Sequence, residues 1–307
     1  MNFVDIQVNG YAGVDFNEDP VTEAQIELVA QQLAADGVGA ILATITTDDA
    51  DRMIDRLANL RRLIDQDDNL RRLIPAFHIE GPFISPVEGY RGAHPPQHIR
   101  PASVEMMDQL LDAGGGPSRV TLVTLAPEVD KDLLVTRKLA EQGIHVAAGH
   151  TDAPLELLRD AEQAGLDLFT HLGNGCANDV HRHHNIINRA LSLEHVRYSL
   201  IADGHHVPWY VLKSYLHVAG LDRCMITTDC ISAAGAPPDF VPVSFRVIDR
   251  SGDTPVARLR GTDYLAGACV TMQQCYDALI RHVGLTEEQS KALCVDHPRD
   301  FVSKWLM

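Results

Sequence analysis

Glu80 in HIEGPF, His150 in AAGHTDA, His171 in THLGNG and Asp229 in ITTDC are the side chains of this chain best suited to do chemistry together. Two imidazoles and a carboxylate make a donor set that a catalytic zinc site can use, because such a site needs three N or O ligands from the protein and a fourth position left open. No cysteine is required. Asp229 is then a candidate general base for a metal-activated water. Each residue also has a plainer reading: a lone histidine is often a hydrogen-bonded structural group, and an aspartate before a loop is often a helix cap. What favours a site is that all four fall where one architecture would bring them together.

That architecture is legible as eight short β-branched runs: FVDIQV, VGAILATI, RRLIPAFHI, RVTLVTLA, IHVAAG, LDLFTH, RYSLIAD and RCMITTD. Between them lie stretches of helical periodicity such as TEAQIELVAQQLAADG, DLLVTRKLAEQG and APLELLRDAEQAG, the last two ending in a glycine stop. Strands alternating with helices imply a parallel sheet, and eight of them close a (β/α)8 barrel of the TIM type. Residues 1–307 read as one such catalytic domain, with a β-hairpin near 241–260 that turns at DRSGD. In a barrel, catalytic groups sit at the C-terminal ends of strands. The third strand then delivers Glu80, the fifth His150, the sixth His171, the seventh Asp203 and the eighth Asp229, while the first delivers Gln7 and Asn9. Those two amides have three readings: they hydrogen-bond a ligand, tie down the loop, or stand where other chemistry would use histidines.

Composition narrows the function. A net charge of -16 excludes the basic footprint that nucleic acid needs, yet leaves room for a small phosphorylated ligand in a local basic pocket. No apolar run approaches a membrane span and the N-terminus lacks a secretory signal, so a cytoplasmic, membrane-free protein is expected. The six cysteines form no C-x-x-C pair and read as reduced thiols.

The segments HIEGPFISP with RGAHPP, AAGHTDA, THLGNG, IADGHHV, ITTDC and LAGACVTM, in that order, resemble the serial motifs of the N-acetylglucosamine-6-phosphate deacetylase family, in the amidohydrolase superfamily. The resemblance runs from Asp5 to beyond Met272. It implies that Glu80, His150 and His171 hold one divalent metal ion, Zn2+ first and Fe2+, Mn2+ or Co2+ as alternatives, with Asp229 as the catalytic acid and base. Gln7 and Asn9 stand where many superfamily members carry His-x-His, which implies a one-metal site. His94 resembles the histidine that polarises the amide carbonyl, next to Ala93. Asn174 and Gly175 stand where the family usually reads Asn-Ala, and their backbone would approach the sugar phosphate. Arg182 and His206 resemble a phosphate-binding pair; Leu265, Ala266 and Gly267 match a pocket wall, and Asp203 joins the substrate-binding set.

The implied reaction is hydrolysis of N-acetylglucosamine 6-phosphate to glucosamine 6-phosphate and acetate, in amino-sugar metabolism, by a protein expected to form a homodimer. The alternatives are an amidohydrolase for a different N-acylated amino sugar or amino acid, and a non-catalytic sugar- or metal-binding barrel. Three departures bear on this. Relatives carry a small β-sandwich before and after the barrel, so a form lacking that domain is expected. The segment HHNIINRAL follows Arg182 where a Pro-Gly turn is usual, and His183, His184 and His205 match no family role.

Overall fold

A computed structural model describes residues 1–18, 20–242, 246–252 and 254–306. Eight parallel strands run in sequence order: β1 Phe3–Val8, β2 Val38–Thr46, β3 Ala76–Glu80, β4 Val120–Leu125, β5 His145–Ala148, β6 Leu166–Phe169, β7 Arg197–Ile201 and β8 Cys224–Thr227. Each is hydrogen-bonded to the next, so the sheet is the wall of a (β/α)8 barrel. The helices that cover it are α1 Glu23–Ala35, α2 Ala50–Ile64, α3 Asp68–Leu73, α4 Val104–Gly114, α5 Leu134–Glu141, α6 Leu155–Ala164, α7 Ile186–Leu191 and α8 Trp209–Ala219. Helix α1 shows why they dock. Thr22 and Gln25 form a capping box at its start, and Ile26, Val29 and Leu33 bury one stripe against the strands.

The seam between β8 and β1 has no continuous ladder among the described residues. A side chain closes it instead. The buried Asp5 carboxylate accepts from Thr227 Oγ1 at 2.6 Å, from Thr228 Oγ1 at 2.5 Å and from the Thr228 amide at 3.2 Å. Above it, the Asn9 amide donates to the Cys230 carbonyl at 2.8 Å, and Val8 bridges Cys230. These bonds hold the ends of the first and last strands together, which is where Asn9 and Asp229 must meet.

The barrel floor is filled by Val4, Ile6, Leu42, Leu122, Leu168 and Met225, plugged from below by Phe301, Val302 and Trp305. With one end packed shut by apolar side chains, only the C-terminal rim is left for polar chemistry.

Two expectations change. RRLIPAFHI is not one strand: its first residues end helix α3, which Asp67 caps through bonds from the Asn69 and Leu70 amides, and the strand begins at Ala76. Pro75 separates them, because the residue before a proline is pushed out of the helical region. The hairpin of 241–260 becomes part of a three-stranded antiparallel sheet, β9 Arg246–Asp249, β10 Val256–Leu259 and β11 Leu265–Ala268. Residues 243–245 and 253 of that expectation lie outside the described residues. All six cysteines are free thiols.

Candidate active site

At the rim, Glu80 Oε1 collects three contacts: His171 Nε2 at 2.8 Å, the Gln7 side-chain amide at 2.9 Å and His150 Nε2 at 3.4 Å. One donor atom from each of Glu80, His150 and His171 lies within 4.8 Å of the others, and all three side chains are buried. This set fits a divalent metal ion on its own chemistry. His150 Nδ1 donates to the Tyr90 carbonyl at 2.9 Å, which points Nε2 at Glu80. His94 Nε2 stands 3.3 Å from that same Nε2 and 3.8 Å from Glu80 Oε2.

The backbone is strained where the chemistry sits. Among the described residues, six that are not glycine have positive φ, and three of them are His150 at 51°, His171 at 32° and Asp229 at 51°. Left-handed backbone at non-glycine residues costs on the order of 1–3 kcal/mol each and persists only where the surroundings over-determine it. Here each residue ends a strand and must turn its side chain across the rim rather than along it.

Asp229 faces the cluster from β8. Asn9 Nδ2 donates to its Oδ1 at 2.7 Å. Burial, then the nearby charge of Glu80, pushes the Asp229 carboxyl up to about 6. Burial alone would also raise Glu80, but the hydrogen bonds and charge of His150 and His171 win and hold it well below the usual carboxylate range. Burial, with the charge of His150 behind it, pushes His94 down to about 3, so its ring is neutral near pH 7. His206 is drawn the other way: Asp203 Oδ2 lies 2.6 Å from its Nδ1, and that partner outweighs burial and raises the imidazole.

The two amides of β1 divide their work. Gln7 is fully buried and does not line the cavity. Its Oε1 accepts from Thr170 Oγ1 at 3.0 Å while its Nε2 donates to Glu80, so both ends are satisfied beneath the site. Thr170 also meets Ser199 Oγ at 3.2 Å, and Ser199 accepts from the His171 amide at 2.8 Å. Gln7 therefore braces Glu80, and Asn9 braces Asp229. The supports Thr170, Ser199 and the Tyr90 carbonyl escape a reading of the sequence; the only local signal is the adjacency of Thr170 to His171.

A cavity of about 600 Å³ opens above the cluster. Asn9, Glu80, Ala93, His94, His150, Asn174, Asp229, Leu265, Ala266 and Gly267 are among the residues that line it. Gly175 packs on the His150 ring instead, where a Cβ would stand 2.6 Å from Nδ1. Asp203 and His206 are buried as a pair beside the cluster. Arg182 is exposed and is not part of the cavity wall; the arginines that line it are Arg52, Arg56, Arg91 and Arg246. Arg56 pairs with Asp48 at 2.8 Å and Arg246 with Asp15 at 2.6 Å. His183 and His184 form a surface turn whose amides donate to His181 Nδ1, and His205 reaches Thr254 Oγ1 at 2.6 Å.

No protein-family model matches the chain. An N-acetylglucosamine-6-phosphate deacetylase from Danio rerio is 31% identical over 304 residues, covering 96% of this chain and 73% of its own length. Among solved structures, an N-acetylglucosamine-6-phosphate deacetylase from Pasteurella multocida superimposes with a TM-score of 0.85 at 28% identity, over 99% of this chain and 76% of that one. A mutant of the Mycobacterium smegmatis enzyme, in complex with N-acetyl-D-glucosamine-6-phosphate, gives 0.84 at 26% identity, over 98% and 77%.

Proposed function

The chain belongs to the N-acetylglucosamine-6-phosphate deacetylase family of the amidohydrolase superfamily, and on that premise we propose that it hydrolyses the acetamide of N-acetylglucosamine 6-phosphate to glucosamine 6-phosphate and acetate. The observation that carries this reading is the buried Glu80, His150 and His171 group with Asp229 facing it across the barrel mouth. Those three residues would hold one divalent ion, zinc by the chemistry of an N, N, O donor set. Such an ion supplies positive charge that polarises an amide carbonyl and makes water more acidic.

The residues of this chain do the rest. Ionised Asp229 accepts the proton of the attacking water, and Asn9 holds the accepting carboxylate in place. As the C–O bond forms, His94 donates its remaining N–H to the carbonyl oxygen, where charge develops. Asp229, now protonated, gives that proton to the amine nitrogen as the C–N bond breaks. A carboxyl held near 6 suits both halves of this shuttle, since a base and acid of that strength works best close to neutral pH. The wall at Leu265–Gly267 faces the sugar, and the backbone at Asn174, on the same cavity, receives the phosphate, with Gly175 and the Asp203–His206 pair behind it. In this reading the protein is a homodimer, and Arg182, exposed on the surface of its own subunit, would contact the phosphate bound to the second copy.

The test is acetate release by the zinc-supplemented protein from N-acetylglucosamine 6-phosphate, with unphosphorylated N-acetylglucosamine alongside. Selective release from the phosphorylated sugar is expected. Release from neither would overturn the substrate assignment and favour another N-acylated compound.

A further inference from the structure

A phosphorylated sugar brings an anion into the cavity, and the arginines on its wall differ in how free they are to meet it. Arg56 is committed to Asp48 at 2.8 Å and Arg246 to Asp15 at 2.6 Å. Arg52 is exposed on the first turn of α2. Arg91 is half-buried, lines the cavity, and has no hydrogen bond or ion pair to its guanidinium among the described residues. Its backbone is held at both ends: the Arg91 amide donates to the Val87 carbonyl at 3.1 Å, and the His94 amide donates to the Arg91 carbonyl at 3.2 Å. The glycines on either side show what this loop faces. A Cβ on Gly89 would stand 2.9 Å from Ala177 Cα. A Cβ on Gly92 would stand 3.1 Å from His150 Cε1, and one on Gly175 would stand 2.9 Å from the same atom. Residues 89–92 therefore run against residues 175–177, and Arg91 and Asn174 line the cavity from loops that are in contact. Glu88, the acidic neighbour in the loop, meets the Tyr264 phenol at 3.5 Å instead of Arg91.

We propose that Arg91 determines specificity for the phosphorylated sugar, pairing with the 6-phosphate from the same subunit that carries Asp229. The proposal rests on the reading of this cavity as the site for N-acetylglucosamine 6-phosphate. A guanidinium presents its N–H groups in a planar fork that matches two oxygens of a phosphate. Arg91 gives up no ion pair when the anion arrives, whereas Arg56 and Arg246 would have to share theirs with Asp48 and Asp15. The backbone at Asn174 meets the phosphate from the facing loop, so the anion lies between a charge on one side and the chain on the other. Arg182 would add its charge from a second copy; Arg91 needs no partner to act.

The experiment measures acetate release from N-acetylglucosamine 6-phosphate and from N-acetylglucosamine by the zinc-supplemented full chain, Arg91→Met, Arg91→Lys and Arg182→Gln. Calorimetry on the same proteins measures binding of glucosamine 6-phosphate and glucosamine. In Arg91→Met the preference for the phosphorylated sugar, as a ratio of kcat/KM values, should fall about 10- to 100-fold, chiefly through KM, and glucosamine 6-phosphate should bind more weakly by a similar factor. Arg91→Lys should keep part of both, because the charge stays while the fork is lost. A wild-type ratio in Arg91→Met, with the preference lost in Arg182→Gln instead, would overturn the proposal. So would an equal fall for both sugars accompanied by a lower melting temperature, which marks a damaged fold. If the wild type releases acetate from neither sugar, the substrate reading fails, and calorimetry alone decides on Arg91. The proposal then falls if wild type and Arg91→Met bind glucosamine 6-phosphate alike, and stands if only the wild type prefers it to glucosamine.

Discussion

Gly175 presses on His150, the proposed metal ligand, so closely that one methyl group should displace the ring. In the Gly175→Ala variant the new Cβ would stand 2.6 Å from His150 Nδ1, 2.9 Å from Cε1 and 3.2 Å from Cγ. Ordinary contact begins at 3.4 Å, so the ring must retreat by 3.4 − 2.6 = 0.8 Å. Metal–ligand distances tolerate only about 0.2 Å of error, several times less than the displacement required. The backbone adds its own cost: residue 175 sits at φ 60°, where alanine loses about 1–2 kcal/mol relative to a relaxed conformation. Two effects should therefore separate. The apo protein should melt a few degrees lower, and zinc affinity measured by chelator competition should fall by about 10- to 100-fold, as for other disturbances of a ligand's surroundings. Wild-type zinc affinity in Gly175→Ala would refute the reasoning, and with it the claim that the resting position of His150 is the ligating one. The deacetylase family usually carries alanine at this place, so the same variant asks whether this chain has traded a methyl group for a closer ring.

Asp229→Asn should keep zinc bound and lower kcat by several orders of magnitude, as expected when the only proton carrier is removed; a variant within 10-fold of wild type would end the acid–base assignment. The acid limb of kcat/KM should follow Asp229, whose ionised form is the active base. Activity should rise with pH through a value at or below about 6, since a bound cation can only favour the carboxylate further, and a limb centred well above 6 would argue for another group. Asn9→Leu removes a hydrogen bond to the ionised form and should move that limb to higher pH, read from the same profile. Asp5→Ala strips the seam of its acceptor, leaving the buried Thr227 and Thr228 donors unpaired. A loss of about 2–6 kcal/mol in urea unfolding is expected, at about 1–3 kcal/mol for each unmet group, and no loss would show that backbone bonds alone close the barrel.

Glu80, His150, His171 and Asp229 can be found from sequence because a barrel converts strand ends into neighbours: once the strands are placed, the rim is placed with them. The supports of those residues cannot be found that way. Nothing in the spacing of Tyr90 and His150 says that the carbonyl of one meets the ring of the other, and the Thr170–Gln7–Glu80 bonds join residues far apart in the chain. Arg182 shows a related limit. Its distance from His171 along the chain matches a family pattern, but a loop residue's spacing does not say which cavity its side chain will line, and here it is exposed and does not line the cavity above Glu80. Gln7 meets a narrower form of the same limit. The alternation of β1 aims Gln7 and Asn9 at the same rim, yet two residues of rise put one beneath Glu80 and the other beside Asp229. That difference in height explains the chemistry of the pair. An amide can donate to one carboxylate and accept from a hydroxyl without titrating, so Gln7 steadies an acid held well below its usual range and Asn9 tempers the rise of the other, with no charge of their own. A histidine at either place would compete for the metal or the proton; a neutral amide suits Glu80 to its proposed role as ligand and Asp229 to its proposed role as base.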